Sequence, residues 1–128
     1  MARAPGADTP HLPHPAPIDA YGNGGFRFAG MSHRGSILCL PDGIWAWPIH
    51  AISELDNTLI GPVLARADML DLFFIGAGPD PHVLTRDMRQ MFKDAGLSVD
   101  CLATGPAAQT YNILLGEGRR VGAGLIAV

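Results

Sequence analysis

The sequence predicts an α/β domain with antiparallel N-terminal hairpins followed by a parallel strand–helix–strand–helix–strand unit. Three observations carry this prediction. Glycine- and proline-containing turns cut the first half into short apolar arms, too close together for anything but hairpins. In the second half, apolar runs at 69–75, 97–102 and 121–128 alternate with stretches of helical periodicity. The chain has 128 residues, 48% apolar and 16% charged, which is material for one hydrophobic core and too little charge for a disordered chain.

Residues 1–17 are rich in proline and alanine and read as a flexible or extended tail of polyproline character. They lack the continuous apolar stretch of a secretory signal and the arginine-rich pattern of a transit peptide. The domain is expected over 18–128.

The first hairpin is marked by Gly22-Asn23-Gly24-Gly25 between Tyr21 and Phe26-Arg27-Phe28, because these residues readily adopt positive φ. The second has apolar arms at 36–40 and 44–49 around Pro41-Asp42-Gly43. There proline presets φ, aspartate bonds the following backbone and glycine accepts the left-handed conformation. Pro48 places the second arm at a sheet edge or ends it. Between 50 and 67, Ser53 and Asp56 mark a helical start, and Pro62 suits the first position of a short helix reaching Arg66.

The run 69–75 has the near-continuous apolar character of a strand buried on both faces. Over 85–95, Met88, Met91, Phe92 and Ala95 form one helical stripe that Gly96 closes. After the strand at 97–102, Pro106 opens a second helix with Ala107, Ala108, Tyr111, Leu114 and Leu115 on one face. Arg119 and Arg120 follow that helix and complement its dipole. The last strand is 121–128. Strands joined by such helices run parallel with right-handed crossovers.

Composition excludes several function classes. A net charge of −3 gives no basic footprint for nucleic acid or an anionic membrane. No apolar run approaches the ~20 residues that cross a bilayer, so a soluble protein of the bacterial cytoplasm is expected. Cys39 and Cys101 lie inside apolar runs and read as small buried hydrophobes in a reducing compartment.

Motifs narrow the chemistry further. Gly76-Ala77-Gly78 after a buried strand invites a dinucleotide reading, but Pro81 stands where the third glycine belongs and Asp100 lies within the next strand. No cofactor is therefore expected. The turns at Gly76, Ala77 and Gly78 and at Thr104 and Gly105 should nevertheless meet at the carboxyl ends of neighbouring parallel strands, a common place for a ligand crevice. Histidines 11, 14, 33, 50 and 82 show no metal-ligand spacing, and no metal is expected. Ser32 beside His33 is adjacency only, since strand neighbours face opposite ways. Trp45 and Trp47 share a strand face and, with Phe26 and Phe28, form a candidate partner surface if that face is open.

Several short motifs also run in a familiar order: Tyr21, Gly24-Gly25-Phe26-Arg27-Phe28, Gly30, His33, Gly35-Ser36, Pro41, Gly43, Trp47, Gly76-x-Gly78, Thr110-Tyr111-Asn112, Leu114-Leu115 and Arg119-Arg120-Val121. This set resembles the family of unknown-function domains that includes the mitochondrial complex I assembly factor 3, over residues 18–128. The resemblance implies a three-layer α/β fold with a mixed sheet. It also implies a non-catalytic protein-interaction module that works with a protein partner, as that relative does in the early building of NADH:ubiquinone oxidoreductase. A small-ligand protein or enzyme using the crevice is the alternative, and a homodimer is a further possibility. The chain departs from the mitochondrial relative in showing no transit segment.

Overall fold

Asn23 (φ 52°) and Gly24 (φ 78°) both take the left-handed conformation, which makes a tight two-residue turn between β1 (Ala20–Gly22) and β2 (Gly25–Phe28). Ala29 (φ 50°) and Gly30 (φ 77°) repeat the device and lead into β3 (Met31–Arg34). The three strands form an antiparallel sheet in the order β1–β2–β3. The computed structural model in which these features are seen describes residues 10–128.

The second hairpin is β4 (Ile37–Leu40) and β5 (Gly43–Ala46), whose arm stops three residues short of the sequence expectation. It belongs to a five-stranded sheet of order β5–β4–β8–β6–β7, so β5 is indeed an edge. In the centre, β6 (Leu72–Gly76) runs parallel to both β7 (Ser98–Leu102) and β8 (Val121–Leu125). β4 closes the mixed sheet by pairing antiparallel to β8.

Three α-helices are present among the described residues. Asp56 caps α1 (Asn57–Leu64), its carboxylate accepting from Leu59 N–H at 3.0 Å. The helix thus starts five residues before Pro62, which lies inside it instead of opening it. Thr85 caps α2 (Arg86–Asp94), and Gly96 (φ 74°) ends it in the left-handed conformation. The third helix, α3 (Thr104–Gly116), begins two residues before Pro106, which the first turn accommodates.

Alternation along the strands splits the apolar residues between two cores. On one face Leu38, Leu40, Phe73 and Ile75 pack with Ile60 of α1 and Phe92 of α2. On the other, Ile37, Cys39 and Phe74 pack with Tyr111 of α3 and with Phe26 and Phe28 of the small sheet. Three layers result: α1 and α2, the mixed sheet, then α3 with the small sheet. Among the described residues no helix is long and apolar enough to cross a membrane.

A flexible or extended tail through residue 17 is the sequence-based expectation, and residues 10–17 are extended and packed on the domain. His11 N–H donates to the Ile44 carbonyl at 2.8 Å and Ile44 N–H to the Leu12 carbonyl at 2.9 Å. Leu12 and Ala16 are buried, and the Tyr111 hydroxyl donates to the Ala16 carbonyl at 3.0 Å. Proline-spaced extended backbone cannot form a helix, yet it suits a strap along an exposed strand edge, where few N–H groups are needed. The rest of the expected tail, 1–9, lies outside the described residues.

Candidate functional site

The loop leaving β6 turns toward α2 on one face of the sheet, and the loop leaving β7 turns toward α3 on the other. The two loops part at this point, where a ligand crevice is expected. All five sequence-predicted residues, Gly76, Ala77, Gly78, Thr104 and Gly105, meet here, and all are buried.

They are tied to one another by hydrogen bonds. Ala77 N–H donates to the Leu102 carbonyl at 2.7 Å and Thr104 N–H to the Gly78 carbonyl at 2.8 Å. The Thr104 hydroxyl accepts from Gly78 N–H at 3.0 Å and donates to the Ile126 carbonyl at 2.7 Å. Ile126 N–H in turn donates to the Gly76 carbonyl at 2.9 Å. Gly76 must be glycine because a Cβ would stand 2.9 Å from the Thr104 Cα. Over the far loop, the Tyr21 hydroxyl rests against Gly105. The Thr104 hydroxyl stands between the two loops, and the N–H groups of Ala77, Gly78 and Thr104 are bonded within the fold.

Of the candidate partner surface, Phe26 is 2% exposed, Phe28 0% and Trp47 4%, so these three are core. Alternation explains the phenylalanines: Arg27 takes the solvent side, and its neighbours must face α3. The Trp47 indole N–H donates to the Leu59 carbonyl at 3.1 Å, and its ring lies where a side chain on Gly124 would be.

Trp45 alone of the four reaches the surface, half-buried. It lines a groove of about 390 Å³ with Leu38, Leu40, Trp47, Pro48, Thr58, Leu59, Pro62 and Arg66. The Arg66 guanidinium sits 4.9 Å from the Trp45 ring centroid. It is held there by Asp42 at 2.8 Å and by the Pro62 carbonyl at 2.9 Å. The groove therefore has largely apolar walls and the Arg66–Asp42 ion pair at its rim. Sequence reasoning missed Arg66, Pro62 and Thr58, because α1 brings them to β5 only in three dimensions.

Other candidate groups are inert or already engaged. Burial pushes the Cys39 thiol up to about 12, so it stays protonated at neutral pH and is no nucleophile. Burial also raises the Cys101 thiol, with a smaller contribution from Asp100. Two strands separate β4 from β7, which puts the cysteines on the order of 14 Å apart, beyond disulfide reach. Both are free. Ser32 and His33 face opposite ways, and the His33 ring lies 4.5 Å from that of His11. Among the described residues no three histidine, cysteine or acidic side chains converge as metal ligands. Arg120 serves an ion pair with Asp71 at 2.6 Å, clamping the start of β8 to the start of β6. That hydrogen bond holds the Asp71 carboxyl below the usual carboxylate range.

An uncharacterized protein of Rhodobacter capsulatus is 36% identical over 110 residues, covering 86% of this chain and 83% of that protein. The NADH dehydrogenase (ubiquinone) 1 alpha subcomplex assembly factor 3 of Mus musculus is 25% identical over 115 residues, 90% of this chain but 62% of its own length. The chain thus spans about three-fifths of that curated relative. A crystal structure described as an outer membrane protein from Bartonella henselae is 44% identical, with a TM-score of 0.89 over 92% of this chain and 99% of that one. The family model described as "Protein of unknown function (DUF498/DUF598)" matches residues 18–126, and the chain belongs to that family.

Proposed function

We propose that this chain is a non-catalytic interaction module of the bacterial cytoplasm that assists the assembly of a multi-subunit protein, with a respiratory NADH:ubiquinone oxidoreductase as the first candidate. The observation that carries this reading is kinship, along 90% of the chain, with a protein named as an assembly factor for that class of enzyme. The geometry supplies a surface for the task. The Trp45 groove offers a partner subunit an apolar slot, with the Arg66–Asp42 ion pair as polar groups at its rim.

The competing reading, a small-ligand protein or enzyme acting at the β6–β7 switch point, finds its backbone donors and acceptors already used by Thr104, Gly78 and Ile126. A thermal-shift panel of nucleotides and acidic metabolites separates the two readings. A ligand at a hundred times its dissociation constant stabilises a fold by ~2.7 kcal/mol. The interaction reading is tested by crosslinked capture from native cells with wild type and Trp45→Ala. A specific protein recovered with wild type and lost with the variant supports it. Identical recovery with both, or nothing above background, contradicts it.

A further inference from the structure

The outer face of the small sheet has a composition unlike the rest of the surface. Register places Ala20, Arg27 and Ser32 side by side across β1–β2–β3, and Gly22, Gly25 and Arg34 side by side in the adjacent row. Directly opposed residues share a face, and so do residues two apart on one strand, so all six look outward. The opposite face carries the buried Phe26 and Phe28.

Small residues form the floor of this face. Gly22 and Gly25 raise nothing above the backbone and Ala20 only a methyl group, whereas Arg27, Ser32 and Arg34 stand around them. The result is a concave site of about 420 Å³ that all six residues line. Small-molecule sites occupy ~300–1,000 Å³.

Charge says what the site would take. Arg27 and Arg34 are diagonal neighbours on paired strands, with Cβ atoms roughly 7 Å apart. Both side chains rise from this face, the Arg34 guanidinium lying beside Gly24 at the β1–β2 turn. Like charges so placed repel unless an anion screens them. Arg66 and Arg120 have carboxylate partners, but neither Arg27 nor Arg34 has one among the described residues. Residues 20–41 contain no aspartate or glutamate, in a chain where acidic residues outnumber lysine and arginine twelve to nine. Two planar guanidinium forks and a hydroxyl over an open floor match an oxyanion.

We infer that the outer face of β1–β2–β3 is a binding site for a small molecule bearing a phosphate or carboxylate group, held by Arg27 and Arg34 with Ser32. This site lies on a different surface from the Trp45 groove and does not rest on the assembly reading.

The test is an amide NMR titration of the full chain with inorganic phosphate and, separately, with succinate, at ionic strength held constant with chloride. At least one anion should give saturable shifts confined to residues 20–34 and complete by about 10 mM. Whether phosphate or succinate saturates names the source of the oxyanion. Arg27→Gln and Arg34→Gln should each weaken binding at least about tenfold, the loss of one charge-assisted contact. Both side chains are exposed, so these variants keep the fold. Arg89→Gln and Lys93→Gln, exposed on α2, should bind as wild type does. Three results overturn the assignment: saturation by neither anion, undiminished binding by the Arg27→Gln/Arg34→Gln double variant, or equal loss in the α2 variants.

Discussion

Gly78 and Thr104 are joined by two hydrogen bonds, Thr104 N–H to the Gly78 carbonyl at 2.8 Å and Gly78 N–H to the Thr104 hydroxyl at 3.0 Å. That pair ties the loop after β6 to the start of α3. Thr104→Val keeps the shape but strands the Gly78 N–H and the Ile126 carbonyl. Chemical denaturation should show a loss of about 2–4 kcal/mol, and Thr104→Ser a much smaller one. A valine variant as stable as wild type would mean that the hydroxyl does not hold the loops together.

Further along the same sheet, β8 passes under Trp47. A Cβ on Gly124 would stand 2.6 Å from the indole ring, which the Leu59 carbonyl anchors on its other side. Gly124→Ala should cost about 1–3 kcal/mol through overpacking. Because both tryptophans line the Trp45 groove, a change in tryptophan emission should accompany the loss. An alanine variant with unchanged stability and emission would show that the ring moves aside freely.

His33 supplies a pH dependence. Burial first, and then the charge of His11, hold its imidazole below the ordinary value of 6.5, against a hydrogen bond with the Ser36 backbone that raises it. The unfolded chain therefore binds this proton more readily than the folded one. The stability tied to His33 is complete above the unfolded value and falls as pH drops from about 6.5 through the folded value. Urea denaturation across that window should lose part of its slope in His33→Asn. In His11→Ala, NMR titration should find His33 moved back toward its ordinary value. An unmoved His33 would remove His11 as a cause.

The strap at 10–17 gives a fourth expectation. Leu12→Ala deletes a buried side chain and should cost about 2–3 kcal/mol. A chain beginning at Ile18 should lose more, because the β5 edge is uncovered and the Tyr111 hydroxyl loses the Ala16 carbonyl. A truncation that melts with the full chain would restore the reading of this segment as a tail.

Much of the architecture was legible because local and tertiary preferences agree. The run at 69–75 is apolar because β6 is covered on both faces, and the stripe at 85–95 is periodic because α2 buries Met88 and Phe92. β3 was not legible: Met31-Ser32-His33-Arg34 has no apolar alternation, and its turn places an alanine where glycine or asparagine normally signals positive φ. The candidate sites were harder still. The hydrogen bond from Gly78 N–H to the Thr104 hydroxyl depends on how the two loops are placed in three dimensions, which no local pattern encodes. The burial of Phe26 and Phe28 depends on which side of the small sheet α3 covers, a choice no local pattern encodes. Likewise Arg66 reaches Trp45 only through the placement of α1.

The interaction reading is tested most directly by placing a photo-crosslinking residue at exposed Thr58, on the rim of the Trp45 groove, and separately at Arg89 on α2, in cells that make the protein. A discrete crosslink to another protein from position 58, absent from position 89 and abolished by Trp45→Ala, is the expected result. No crosslink from position 58, or the same products from both positions, would contradict the account.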